Sequence, residues 1–130
     1  MSPSRLRSCT IIVVEDHEDA RTYLGLFLSR LGANVVLAKD GIEGLDAVKK
    51  HNPELVITDL QMPRMDGFEL LREIRGLKPD VRGNVPIIAM TAFATRTEHA
   101  RLMDRGFQAY MQKPFTVEKL LAAVLAVLDA

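Results

Sequence analysis

The chain has 130 residues, 48% of them apolar and 26% charged, which fits one folded domain with a core that needs neither disulfides nor metals. Its 17 basic and 17 acidic residues cancel, which argues against a direct electrostatic binder of nucleic acid or anionic membrane. The single cysteine, Cys9, excludes an internal disulfide and suits a reducing, cytoplasmic setting, and no apolar run reaches the ~20 residues of a membrane-spanning helix.

Residues 1–8 are polar, with Pro3 and three serines, and read as a flexible tail or linker ahead of a domain over 9–130. Thr10 to Val14 is a continuous apolar strand; Glu15-Asp16 ends it too early for a signal peptide. Ala20, Tyr23, Leu24, Phe27, Leu28 and Leu31 then recur at helical spacing, with Glu18 and Asp19 in the first turn and Gly32 at the end. Asn34 to Ala38 is a second strand. Asp40 and Glu43 have capping-box spacing for a second helix, with Ile42, Leu45 and Val48 as its apolar positions.

Leu55-Val56-Ile57-Thr58-Asp59 follows, an apolar strand that ends in a carboxylate. After the turn at Pro63, Asp66 and Glu69 cap a third helix with Leu70, Leu71, Ile74 and Leu77 inward. Lys78 to Asn84 reads as a loop, and Val85 to Met90 as a fourth strand leading to Thr91. Thr95 with Glu98 opens a fourth helix that Gly106 closes. Phe107 to Met111 is a short fifth strand before Lys113-Pro114, and Thr116 starts a last helix reaching about Leu128. Five alternations of strand and helix predict a doubly wound α/β fold, a parallel sheet with helices on both faces.

In such a sheet the C-terminal strand ends share one edge, where ligands bind. Glu15, Asp16, Asp59, Thr91 and Lys113 therefore converge. Three clustered carboxylates repel, and a hard divalent cation such as Mg²⁺ relieves this. Lys113 adds a fixed positive charge and Thr91 a hydroxyl. This set suits phosphoryl transfer to a carboxylate nucleophile.

The chain resembles a response-regulator receiver domain of two-component signalling. The resemblance lies in Glu15-Asp16, the segment Thr58 to Gly67, Met90-Thr91-Ala92 and Tyr110 to Phe115, in the family's order. It implies the flavodoxin-like receiver fold, a five-stranded sheet of order 2-1-3-4-5 with five helices. It implies that Asp59 accepts a phosphoryl group from a histidine kinase or phosphotransfer domain. Glu15, Asp16, Asp59 and the Gln61 backbone carbonyl would hold Mg²⁺ (or Mn²⁺). Lys113, joined to Pro114 by a cis bond, would contact the phosphoryl group. Thr91 and Tyr110 would form the switch that alters the face of helix four, strand five and helix five, a surface for an output partner or homodimer. Such a domain catalyses its own phosphorylation and slow hydrolysis but is primarily regulatory. Glu15 stands where aspartate is frequent, and Gln112 where a small hydroxyl residue is. Gln61 and Phe93 match positions that tune phosphoryl lifetime.

Simpler readings compete at several positions. Glu18 and Asp19 read as first-turn helix charges, Asp66 as an N-cap, Cys9 as a buried strand residue, and His17 as an exposed residue at a helix start. His51 and His99 read as solvated. Ala122, Leu125 and Ala126 form an uncharged strip on the last helix, a candidate partner surface. With no output segment after Ala130, the expectation is a stand-alone receiver or one taken from a larger protein such as a hybrid histidine kinase. A flavodoxin-like FMN module is the distant alternative, since acidic residues occupy its phosphate-loop position. An aspartate-nucleophile phosphatase would want an acid where Gln61 stands, and no Walker-type phosphate loop occurs.

Overall fold

The structure, a computed structural model, describes residues 6–79, 82–92 and 95–129. Five strands alternate with five helices: β1 (Thr10–Val14), α1 (Glu18–Arg30), β2 (Asn34–Ala38), α2 (Gly41–His51), β3 (Leu55–Asp59), α3 (Gly67–Arg75), β4 (Ile87–Thr91), α4 (Arg96–Arg105), β5 (Ala109–Gln112) and α5 (Val117–Leu128). The strands form one parallel sheet of order β2-β1-β3-β4-β5, as expected. Central β3 and β4 are buried along their whole length, including the polar Thr58, Asp59 and Thr91 at their C-terminal ends.

Successive strand residues point to opposite faces and feed two cores. Ile11, Val13, Ile57, Ile88 and Met90 pack with α1 and α5. Ile12, Val14, Val56, Ile87 and Ala89 pack with residues of α2, α3 and α4. Asp40, Asp66, Thr95 and Thr116 each accept the backbone N–H three residues on, and Asp66 with Glu69 completes a capping box. Arg75 at the end of α3 donates to the carbonyls of Gly83 and Val85 and to Gln108 Oε1, which also accepts from the Ile87 N–H. One guanidinium thereby ties together the entries to β4 and β5. Among the described residues α4 buries one side chain, Leu102, while Arg101 and Arg105 lie over the Phe68 ring, each 5.2 Å from its centroid.

Several expectations change. The tail does not extend through residue 8. Leu6 is fully buried in the α1–α5 core, and the Ser8 N–H donates to the Gly32 carbonyl at 3.1 Å. Residues 1–5 lie outside the described set. Tyr23 is 59% exposed because α1 turns Leu24, Gly25 and Leu28 inward. Gly25 permits that rotation, since a Cβ there would sit 3.0 Å from Leu37 Cδ2. Ile42 is also exposed, because α2 approaches the sheet through Gly41, Gly44, Ala47 and Val48. Leu125 is buried at 4% exposure, so the strip it was to form with Ala122 and Ala126 does not exist.

β4 starts at Ile87 rather than Val85, because the Val85 N–H turns back to Arg82 and Pro86 has none to donate. β5 starts at Ala109, because the Phe107 N–H closes α4 on the Leu102 carbonyl.

Candidate functional site

Register brings the acidic strand ends level. Val14 pairs with Thr58 and Asp59 with Met90, while the Glu15 N–H extends the ladder to the Ala38 carbonyl. Thr91 pairs with Gln112, and the Lys113 N–H donates to the Thr91 carbonyl at 2.7 Å. The β5 end therefore aims Lys113 back across the sheet edge. Its Nζ lies 2.9 Å from Glu15 Oε1 and 3.0 Å from Asp59 Oδ2, one ammonium bridging two carboxylates 44 residues apart in sequence. The Lys113–Pro114 bond is cis, as expected.

The charges do not balance within this cluster. Burial pushes Glu15 up, but its hydrogen bond from Lys113 and the His17 backbone N–H outweigh that and hold it at about 2, against an ordinary 4.5. Burial also pushes Asp59 up; the Lys113 bond offsets only part of this, and the nearby Glu15 charge adds to it, so Asp59 stays above the usual range. The two carboxylates share one lysine yet move oppositely: Glu15 has a second donor, and its charge opposes ionisation of Asp59. Burial lowers Lys113, but its bonds to both acids win and hold it above the lysine norm.

Asp16 Oδ1 is buried and accepts no hydrogen bond among the described residues. Carboxylate atoms of Glu15, Asp16 and Asp59, with a ring nitrogen of His17, all lie within 4.8 Å of one another. A buried oxygen without a donor, in an oxygen-rich set with one compensating ammonium, fits a hard divalent cation.

The other expected residues take different positions. Thr91 is buried at the same edge and lines a cleft of about 530 Å³ with Gln61, Met62 and Glu98. Gln61 is exposed in the β3–α3 loop. Tyr110 pairs in register with Ala89, two residues short of Thr91, and its half-buried ring lies 4.5 Å from that of His99 on α4. His99 is therefore exposed, as expected, but not without a neighbour. Phe93 lies outside the described residues.

Sequence reading missed three features. Arg21, one turn into α1, donates to the Glu15 carbonyl at 2.9 Å and reaches that of Asp16 at 3.5 Å, fixing the β1–α1 loop. Arg64, with a left-handed φ of 69°, pairs with the buried cap Asp40 and fastens the β3–α3 loop to α2. His17, exposed at the helix start as expected, turns Nδ1 toward Glu15 and Asp16 instead of capping α1. A cation one turn past an acidic pair was the available signal for Arg21; the Arg64 contact, 24 residues away, left none.

The model of the response regulator receiver domain matches residues 11–125. The response regulator MprA of Mycobacterium tuberculosis is 39% identical over 121 residues, covering 93% of this chain and 51% of that protein. The chain thus spans about half the length of the curated relatives it matches. Among solved structures, chemotaxis protein CheY4 of Vibrio cholerae superposes with a TM-score of 0.85 at 27% identity, covering 92% of this chain and 98% of that one. The receiver domain of sensor histidine kinase PA1611 from Pseudomonas aeruginosa, solved with magnesium in its active-site cleft, gives 0.83 at 29% identity, covering 95% and 99%. That likeness displaces the FMN-module alternative. No helix among the described residues is long and apolar enough to cross a membrane. With its sheet order, its strand-end acids and its bridging lysine in register, the chain belongs to the response regulator receiver domain family of two-component systems.

Proposed function

We propose that this receiver is a phosphorylation switch with Asp59 as acceptor. An Asp59 oxygen attacks the phosphorus of a phosphohistidine on a kinase or phosphotransfer domain. The new O–P bond forms as the P–N bond breaks, and the imidazole nitrogen leaves. Glu15, Asp16, Asp59 and the Gln61 backbone carbonyl would hold Mg²⁺ (or Mn²⁺), which supplies charge neutralisation for the transferring group. Lys113 contacts the phosphoryl oxygens, trading part of its present pairing for theirs. Arg21 keeps the Glu15 and Asp16 backbone in place throughout. Water later attacks the aspartyl phosphate and resets the domain.

The observation that carries this reading is the Lys113 ammonium held between Asp59 and Glu15, beside the donor-free Asp16 oxygen. An apolar cleft of about 460 Å³ between α1 and the start of α5 borders Glu15 and Lys113, an uncharged surface for a donor domain next to the acceptor. On phosphorylation, Thr91 donates its hydroxyl to a phosphoryl oxygen and Tyr110 repacks. Its ring contact with His99 carries the change into α4 and so to the α4/β5/α5 face, where an output partner or second copy binds.

Similarity to the PA1611 receiver supports a second setting for the same chemistry, a phosphorelay within a hybrid histidine kinase. Either setting predicts that acetyl phosphate with Mg²⁺ adds one phosphoryl group, seen by intact mass, and that beryllofluoride with Mg²⁺ alters the amide spectrum of α4 and β5. No modification and no binding, or a response that survives Asp59→Asn, refutes the switch.

A further inference from the structure

We propose that His17 is a direct ligand at the cation site, one that tilts its selectivity toward metals that accept imidazole. The proposal rests on the metal-site reading above. His17 is the N-cap residue of α1, yet its side chain makes no capping hydrogen bond. The side chain is 76% exposed, and Nδ1 faces inward, 3.3 Å from Glu15 Oε2 and 3.5 Å from Asp16 Oδ1. Two donors bound side by side at about 2.1 Å to one octahedral ion stand about 3 Å apart. The imidazole therefore needs only a few tenths of an ångström to share an ion with either carboxylate.

A hydrogen bond from the ring is the competing account. The ring Nδ1 is within hydrogen-bond reach of Glu15 Oε2 at 3.3 Å, but that oxygen already receives the His17 backbone N–H at 3.1 Å, whereas Asp16 Oδ1 receives none although the imidazole is its neighbour. An ion between the ring nitrogen and Asp16 gives Asp16 Oδ1 the partner it lacks and exchanges the ring's bond to Glu15 for a metal bond. Mg²⁺ binds oxygen and retains water, and gains little from an imidazole. Mn²⁺, Co²⁺ and Ni²⁺ accept one, with affinity rising in that order. The arrangement thus provides one set of carboxylates for Mg²⁺ and an additional nitrogen that first-row transition ions use.

The test loads the whole chain with one equivalent of Mn²⁺ and records electron spin-echo modulation for a directly bound nitrogen. Calorimetry then gives Mg²⁺ and Ni²⁺ affinities for the parent, His17→Ala, His17→Gln and Asp16→Asn. The expected result is a nitrogen coupling in the parent that both His17 variants lose. Ni²⁺ binding should weaken about tenfold or more in those variants, with Mg²⁺ affinity within about threefold. No coupling in the parent, a coupling that persists without His17, or equal loss of Mg²⁺ and Ni²⁺ overturns the assignment. If Asp16→Asn abolishes binding while His17 is silent, only the histidine ligand falls. If Asp16→Asn binds as the parent does, the metal-site reading falls with it.

Discussion

Replacing Lys113 with methionine keeps most of the side-chain volume and removes the charge that bridges Glu15 and Asp59 at 2.9 and 3.0 Å. Taking one partner from a buried ion pair costs about 3–5 kcal/mol. Lys113 is 29% exposed, so solvent screens part of this, and a loss of about 2–3 kcal/mol is expected at pH 7. Linkage agrees in sign: Glu15 is held at about 2 instead of 4.5, partly by the His17 N–H, while Asp59, raised by burial, works against it. A folded-state carboxylate pKa below the unfolded one stabilises above about 4.5, and that stability is lost as pH falls toward 2. The raised Lys113 contributes fully below its ordinary 10.5 and is lost only above it. The gap between parent and variant should therefore be widest near neutrality and close as acid protonates the stranded carboxylates. Urea unfolding without added metal should show a midpoint about 1–2 M lower at pH 7, with the difference shrinking toward pH 3. A variant as stable as the parent at pH 7, or a gap that does not narrow in acid, refutes the reasoning.

A Cβ at Gly67 would lie 2.6 Å from the Asp59 carbonyl oxygen and 2.9 Å from Leu60 Cα, so Gly67→Ala should lose about 1–3 kcal/mol, measured by thermal or urea unfolding, and slow phosphorylation by acetyl phosphate. Asp40→Ala removes both the α2 cap and the partner of Arg64; about 1–2 kcal/mol of stability should go, with Mg²⁺ affinity by calorimetry changed less than about threefold. Because Gln61 is proposed to offer only its backbone carbonyl, Gln61→Ala should leave Mg²⁺ affinity within about twofold, and a larger loss would implicate the side chain.

The strand-end edge was legible because strand ends announce themselves: an apolar run stops at a polar residue, as at Val14-Glu15, Ile57-Thr58 and Met90-Thr91. Parallel topology then places those residues together without further information. Helix starts were legible for a similar reason, since Asp40, Asp66, Thr95 and Thr116 carry their function in local spacing. Tyr23 and Ile42 misled because an apolar count ignores small residues. Gly25 and Gly44 have no side chain to register as hydrophobic, yet they are where the helices meet the sheet; a Cβ on Gly44 would lie 2.9 Å from Val14 Cγ2. Leu125 misled in the opposite way, since on a helix apolar almost all round its inward direction could not be read from spacing alone. The Arg64–Asp40 and Arg75–Gln108 contacts depend on how loops return to the sheet, which no local pattern encodes.

The uneven anchoring of the helices has a consequence for where a signal can emerge. The loop after Asp59 is fastened to α2 by Arg64 and Asp40, with Gly41 packed so closely that a Cβ would meet the Met65 carbonyl oxygen at 2.6 Å. On the opposite flank, α4 buries only Leu102 among the described residues and otherwise rests on Phe68 through two arginines and on Tyr110 through His99. A disturbance at Asp59 meets a stiff wall on one side and a compliant one on the other. Strain follows the softer path, and hydrogen exchange should find the lowest opening free energies in α4. In the proposed switch, the direction of the output is then set by a difference in mechanical compliance as much as by any contact with the phosphoryl group.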